Sequence, residues 1–84
     1  MESVNSYEIL VFGICKDLLG KDRIILESKD PLTSEKFELL LIEKFPELKK
    51  VPSLRISADY KFIEKNAILS FNSEIALIPP VSGG

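Results

Sequence analysis

Residues 33–46 read Thr33-Ser34-Glu35-Lys36-Phe37-Glu38-Leu39-Leu40-Leu41-Ile42-Glu43-Lys44-Phe45-Pro46, and their spacing decides the fold class. Phe37, Leu40, Leu41 and Phe45 recur at i, i+3, i+4 and i+8, which lines one face of an α-helix, and Leu39 and Ile42 widen that stripe. Thr33 has the side chain of an N-cap, and Glu35 sits where the positive end of the helix dipole favours a carboxylate. Leu32 and Phe37 have the N′ to N4 spacing of a hydrophobic staple. Pro46 biases Phe45 out of helical geometry, so the helix is expected to end near there.

Strand patterns flank this helix on both sides. Tyr7 to Phe12 is a β-branched and aromatic run closed by Gly13, and Arg23 to Glu27 is another, after the turn signal Gly20-Lys21-Asp22. This reads as a strand, a connection of about ten residues and a second strand. Beyond Pro52, Leu54, Ile56, Ala58 and Tyr60 alternate with Arg55, Ser57 and Asp59, the period of a half-buried strand. Ile63 and the pair Ile68-Leu69 suggest a short further strand or turn under the core. Glu74 to Ile78 forms the last strand, stopped by Pro79-Pro80 because neither proline can donate to a ladder. The order ββαβ(β)β predicts an α+β domain, with no internal repeat or linker to divide it.

Composition narrows the function. A chain of 84 residues and 9.4 kDa accommodates one domain, and 45% hydrophobic with 29% charged residues marks it as one that folds. No apolar run approaches the roughly 18 residues of a membrane span, and Met1-Glu2-Ser3-Val4-Asn5-Ser6 lacks the basic then apolar order of a signal peptide. A cytoplasmic protein with no membrane partner is therefore expected. Net charge −2, with Lys49-Lys50 and Lys61 scattered, gives no basic patch for nucleic acid. The absence of histidine and the presence of one cysteine exclude Ser-His-Asp and Cys-His catalysis and the usual zinc sites. Cys15, within Val11-Phe12-Gly13-Ile14-Cys15, reads as a small buried hydrophobe. No cluster of titratable groups, phosphate loop or metal motif argues for an independent enzyme or a bound cofactor.

The C-terminal segment Glu74-Ile75-Ala76-Leu77-Ile78-Pro79-Pro80-Val81-Ser82-Gly83-Gly84 carries the most information. Two of the four glycines are the last two residues, and two prolines precede them. Pro79-Pro80 favours extended backbone, from which four residues reach up to about 14 Å. Gly83 and Gly84 lack Cβ and fit a channel too narrow for other residues. Between Asn66 and Gly84 the only charged side chain is Glu74. A strand apolar on both faces, Ile75 and Leu77 against Ala76 and Ile78, needs two covers, whereas one helix supplies one. An exposed partner-binding patch contiguous with the tail is expected.

This ending resembles that of the small, sulfur-carrying subunit of molybdopterin synthase, a family of ubiquitin-like β-grasp sulfur carriers. Ile9-Leu10-Val11-Phe12 with Lys16-Asp17-Leu18-Leu19-Gly20 is similar to the family's first strand and following turn. The helix from Thr33 and the strand Ile56 to Tyr60 fall where the family places them. Asn72-Ser73-Glu74 stands where the family usually has Gly-Asp-Glu, and Ser57 where it frequently has Asn. The resemblance implies a mixed sheet of four to five strands on one main helix, a single domain over 1–80 and an extended tail over 81–84. It also implies a mechanism. An E1-like enzyme uses ATP to adenylate the Gly84 carboxylate, and a sulfur donor protein converts it to a thiocarboxylate. The tail then enters the large catalytic subunit, in a two-plus-two heterotetramer, to deliver sulfur to cyclic pyranopterin monophosphate. In that reading Gly84 carries the group, and Gly83, Ser82, Val81, Pro80 and Pro79 form and direct the inserted tail. Tyr60 and Ile78 make apolar docking contacts, and no cofactor or metal is held. A sulfur carrier for thiamine or tRNA thiolation, and a non-catalytic ubiquitin-like interaction module, are the alternative readings.

Overall fold

The computed structural model describes residues 4–79. Strand β1 (Asn5–Val11) leads into helix α1 (Gly13–Leu19), followed by β2 (Arg23–Ser28), β3 (Leu32–Thr33) and the main helix α2 (Ser34–Lys44). A 3-10 helix (Pro46–Lys50), β4 (Arg55–Ala58), β5 (Lys61–Phe62), β6 (Ile68–Leu69) and β7 (Ile75–Ile78) complete the order. Five strands form one sheet in the order β2-β1-β7-β4-β5, and β3 and β6 form a separate ribbon. The central pair β1 and β7 is parallel, and every other pairing is antiparallel. This is the expected mixed β-grasp sheet on one main helix.

The core lies between the sheet and α2. Alternation puts Tyr7, Ile9 and Val11 of β1, Ile24 and Leu26 of β2, Ile56 of β4, and Ile75 and Leu77 of β7 in one buried cluster. Phe37 and Leu41 enter it from α2, and Leu48, Val51 and Leu69 close its ends. The apolar stripe of α2 is narrower than its composition suggested. At 100° per residue Leu41 lies about 40° from Phe37 but Leu39 about 200° away, so the two cannot share a face. Phe37 and Leu41 are fully buried, whereas Leu39 is 65% and Leu40 37% exposed.

Two segments depart from the sequence reading. The connection after β1 contains the helix α1, begun at Gly13 with φ 55° and closed by Gly20 at φ 68°, whose N–H donates to the Lys16 carbonyl at 2.8 Å. Its seven residues are too few to establish a periodic signal, and its one fully buried side chain is Cys15, as expected for a small hydrophobe. The strand expected to run to Tyr60 stops at Ala58. Asp59 and Tyr60 take φ of 52° and 70° and Ala58 pairs with Lys61, which makes a two-residue type I′ hairpin. Neither Asn-Gly nor Asp-Gly announces that turn. Its stability comes from the neighbouring strand: the Asp59 N–H donates to the Glu74 carbonyl, and the Glu74 N–H donates to Asp59 Oδ1, both at 2.9 Å.

Buried polar groups are partnered across long sequence distances. The hydroxyl of the fully buried Tyr7 donates to the Leu69 carbonyl and accepts from the Leu32 N–H, each at 2.8 Å, joining β1 to both strands of the small ribbon. Its ring meets Phe37 edge-on at 5.1 Å. The first N–H groups of α2 are likewise met: Ser34 donates to Ala67 and Glu35 to Lys65, while Lys36 donates to the Thr33 hydroxyl, the expected N-cap.

Replacing Tyr7 by Phe keeps the ring but strands a buried donor and a buried acceptor, so chemical denaturation is expected to show a loss of about 1–3 kcal/mol. Leu41→Ala, which empties a filled core site, is expected to cost about 2–5 kcal/mol in the same measurement.

Candidate docking face and the root of the tail

The register of β7 generates two faces with different fates. Ile75 and Leu77 point into the core, and Ala76 and Ile78 point to the opposite side of the sheet. Leu10 of β1 and Ser57 of β4 both pair with Ala76, Arg55 pairs with Ile78, and Phe62 of β5 pairs with Ser57. The buried apolar side chains of both helices, Cys15, Phe37 and Leu41, belong to the core cluster on the other side.

On this face lies an open concavity of ≈ 270 Å³. Ala76 and Ile78 form its floor with Leu10, Phe12 stands at one wall, and Ser57, Tyr60 and Phe62 of the β4–β5 hairpin stand at the other, with Glu74 at one end. Phe12 is 49%, Phe62 54% and Tyr60 86% exposed, an apolar surface of the kind that marks a contact site. The expected unpaired face is therefore present. Tyr60 and Ile78, singled out from the sequence, line the same hollow, although Tyr60 reaches it from a turn rather than from a strand.

Pro79 follows Ile78 directly and is half-buried. A Cβ at Gly13 would lie 3.1 Å from Pro79 Cγ, so the glycine that starts α1 also admits the proline that starts the tail. Pro80, Val81, Ser82, Gly83 and Gly84, the other tail residues named from the sequence, lie outside the described residues.

Charge on this face is largely committed. The Tyr60 hydroxyl donates to the Glu74 carboxylate, with oxygens at 3.1 and 3.2 Å. That hydrogen bond, and next the negative charge of Glu74, raise the Tyr60 pKa above the ordinary tyrosine value. Glu8 and Arg23 form an exposed ion pair between β1 and β2. The Arg55 guanidinium stacks over the Phe62 ring at 4.0 Å from its centre. Burial pushes the Cys15 thiol up, which disfavours the reactive thiolate. Among the described residues no group of three His, Cys, Asp or Glu side chains is placed to hold a metal ion.

Leu10, Phe12, Phe62 and Arg55 were not singled out in the sequence. The signal that would have found them is the pairing register: β1 on β7 carries the Ala76 and Ile78 face onto Leu10 and Phe12, and β4 on β7 and β5 carries it onto Arg55 and Phe62. Ser57, in the position where an Asn was anticipated, is nearly buried beneath the hollow. The polar bond that secures the hairpin comes instead from Asp59.

Comparison with known proteins places this geometry. The ThiS family matches residues 9–84. The chain is similar to the molybdopterin synthase sulfur carrier subunit of Dictyostelium discoideum, 33% identical over 84 residues, covering 95% of this chain and 98% of the relative. Among solved structures, small archaeal modifier protein 1 of Haloferax volcanii superposes with a TM-score of 0.78 at 16% identity, covering 92% of this chain and 99% of that one. A chain from the complex of subunits 1 and 2 of the molybdopterin-converting factor of Helicobacter pylori superposes at 0.64 with 21% identity, covering 94% and 99%. At such identities the two structures speak for the fold.

The hairpin latch is titratable. Because the folded state raises the Tyr60 pKa, the bond to Glu74 is present below the ordinary tyrosine range, near pH 10, and is lost as pH rises through the raised value. Ring-carbon NMR titration is expected to place Tyr60 above an ordinary tyrosine and to bring it down in Glu74→Gln; an unmoved titration in that variant would show that the Glu74 carboxylate is not what raises the Tyr60 value.

Proposed function

The chain belongs to the ThiS family and, at 33% identity over nearly its whole length, stands with the sulfur carrier subunits of molybdopterin synthase; from that premise we propose that it carries sulfur on its C-terminal carboxylate to a larger catalytic subunit. The whole-length similarity carries this reading. The open apolar face that runs straight into Pro79 supports it, because a partner seated there would meet the start of the tail. The chain is a carrier subunit and not a catalyst alone.

The chemistry follows from what a carboxylate lacks. Carboxylate oxygen is a poor leaving group, so an E1-like enzyme joins the Gly84 carboxylate to the α-phosphate of ATP and releases pyrophosphate. The outer sulfur of a donor protein's persulfide then attacks the acyl carbon and AMP departs, and a second thiol attacks the donor sulfur of the resulting acyl disulfide, so that the donor leaves in a new disulfide and the thiocarboxylate is freed. Its sulfur is ionised at neutral pH and needs no base to activate it, which suits a chain without histidine. The large synthase subunit supplies the groups that move this sulfur onto cyclic pyranopterin monophosphate. Gly83 and Gly84 keep the tail thin enough to insert. Ser82, Val81, Pro80 and Pro79 give it reach and direction, and Tyr60 and Ile78 hold the partner at the face. The assembly is a heterotetramer of two small and two large subunits in the cytoplasm.

Intact mass after incubation with ATP, the activating enzyme and a sulfide source is expected to rise by the exchange of one oxygen for sulfur. Gly84→Val, or one extra residue after Gly84, is expected to abolish sulfur transfer while thermal unfolding stays that of the parent chain. Transfer at an unchanged rate from the extended chain would overturn the assignment.

A further inference from the structure

The apolar hollow beside the tail explains adhesion but not choice, since many partners can cover an apolar surface. Choice between partners is carried by charges that the right partner must answer. Three carboxylates at or beside the hollow are already engaged. Glu74 accepts from the Tyr60 hydroxyl, Asp59 accepts from the Glu74 N–H, and Glu8 pairs with Arg23.

Arg55 differs from all of these. It is exposed, and no carboxylate among the described residues pairs with it. It sits directly across from Ile78, the residue before Pro79, and so at the end of the face from which the tail departs. Its guanidinium carbon lies over the Phe62 ring, 4.0 Å from the centre. Arg55 and Phe62 share a face of the β4–β5 hairpin as diagonal neighbours, so the stacking is a product of register. Stacking reduces the freedom of a long side chain while leaving its N–H edge open, ready to meet a planar, bidentate acceptor.

We infer that Arg55, held on Phe62, is the residue by which this face selects its partner, and that the protein receiving the tail presents a carboxylate there, beside the mouth that admits Pro79. This rests on the carrier reading and adds to it the chemistry of the contact. An Asp or Glu on the partner would gain a charge-assisted pair at the edge of the hollow. A partner with a basic surface at that point would be repelled before its apolar contacts formed. Phe62 thus acts twice, as a wall of the hollow and as the platform for the charge.

The test uses the full chain and the large synthase subunit, with association followed by stopped-flow fluorescence across a range of ionic strength. The carrier reading is checked first and separately, by the mass gain of the parent chain with the activating enzyme. In a chain that loads, Arg55→Glu is expected to associate at least about ten-fold more slowly at low salt, with a weakened or inverted salt dependence. Arg55→Lys should retain most of the rate, and Phe62→Leu should lose part of it by freeing the guanidinium. Denaturation midpoints for the Arg55 variants are expected to match the parent chain, because the side chain is exposed. An Arg55→Glu chain that loads normally and associates at the parent rate, or faster, overturns the inference while leaving the carrier reading intact. A parent chain that neither gains sulfur nor binds the large subunit overturns the carrier reading, and this inference with it.

Discussion

The parallel pairing of β1 with β7 constrains nearly everything else in the molecule. Ile9 pairs with Ile75 and Val11 with Leu77, so strands from opposite ends of the chain are neighbours at the centre of the sheet. Parallel neighbours cannot be joined by a tight turn, so the chain must leave the sheet, cross it and return. The crossing is made by α2, which covers one face. β2 then takes the free side of β1, and the β4–β5 hairpin takes the free side of β7. The same register sets both faces of β7, because the residues opposite Ile75 and Leu77 in the alternation are those that floor the hollow. A slip of one residue would place Ala76 and Ile78 in the core and expose Ile75 and Leu77.

Polar groups hold this arrangement in one register. Tyr7 lies on the core face of β1, yet its hydroxyl ends at the small ribbon, where it meets a donor from β3 and an acceptor from β6. A hydrophobic side chain there would fill the same space without fixing how the ribbon sits. The loop before β6 supplies carbonyl oxygens to Ser34 and Glu35, so the start of α2 is tied to a segment about thirty residues further on. Among the described residues no buried side-chain nitrogen or oxygen lacks a partner, which is what makes such a polar lattice stabilising in a small core.

Much of this was legible in the chain itself. The two long strands, the N-cap at Thr33, the end of α2 before Pro46 and the last strand ahead of Pro79 depend on neighbouring residues and could be read from them. The helix α1 and the hairpin at Asp59-Tyr60 could not. The first is too short for its period to register. The second takes a left-handed tyrosine, in a turn held by two bonds between Asp59 and the Glu74 backbone across the sheet. The hollowed face was half legible. An exposed apolar face followed from a last strand that was apolar on both sides, and Tyr60 and Ile78, named from the sequence, line its hollow. Phe12, Phe62 and Arg55 belong to it only because of pairings that no local pattern encodes.

Rooting the tail in β7 has a mechanical consequence. Any protein that draws on the tail pulls at Pro79, and through it on a strand bonded on both sides, to β1 and to β4. Terminal segments of most domains open with little free energy, whereas the amides of a central strand open only when the whole domain does. Tension on the tail is thus resisted by the full stability of the fold rather than by a fraying end. The domain can therefore be held at Pro79 and let go again with its sheet unchanged.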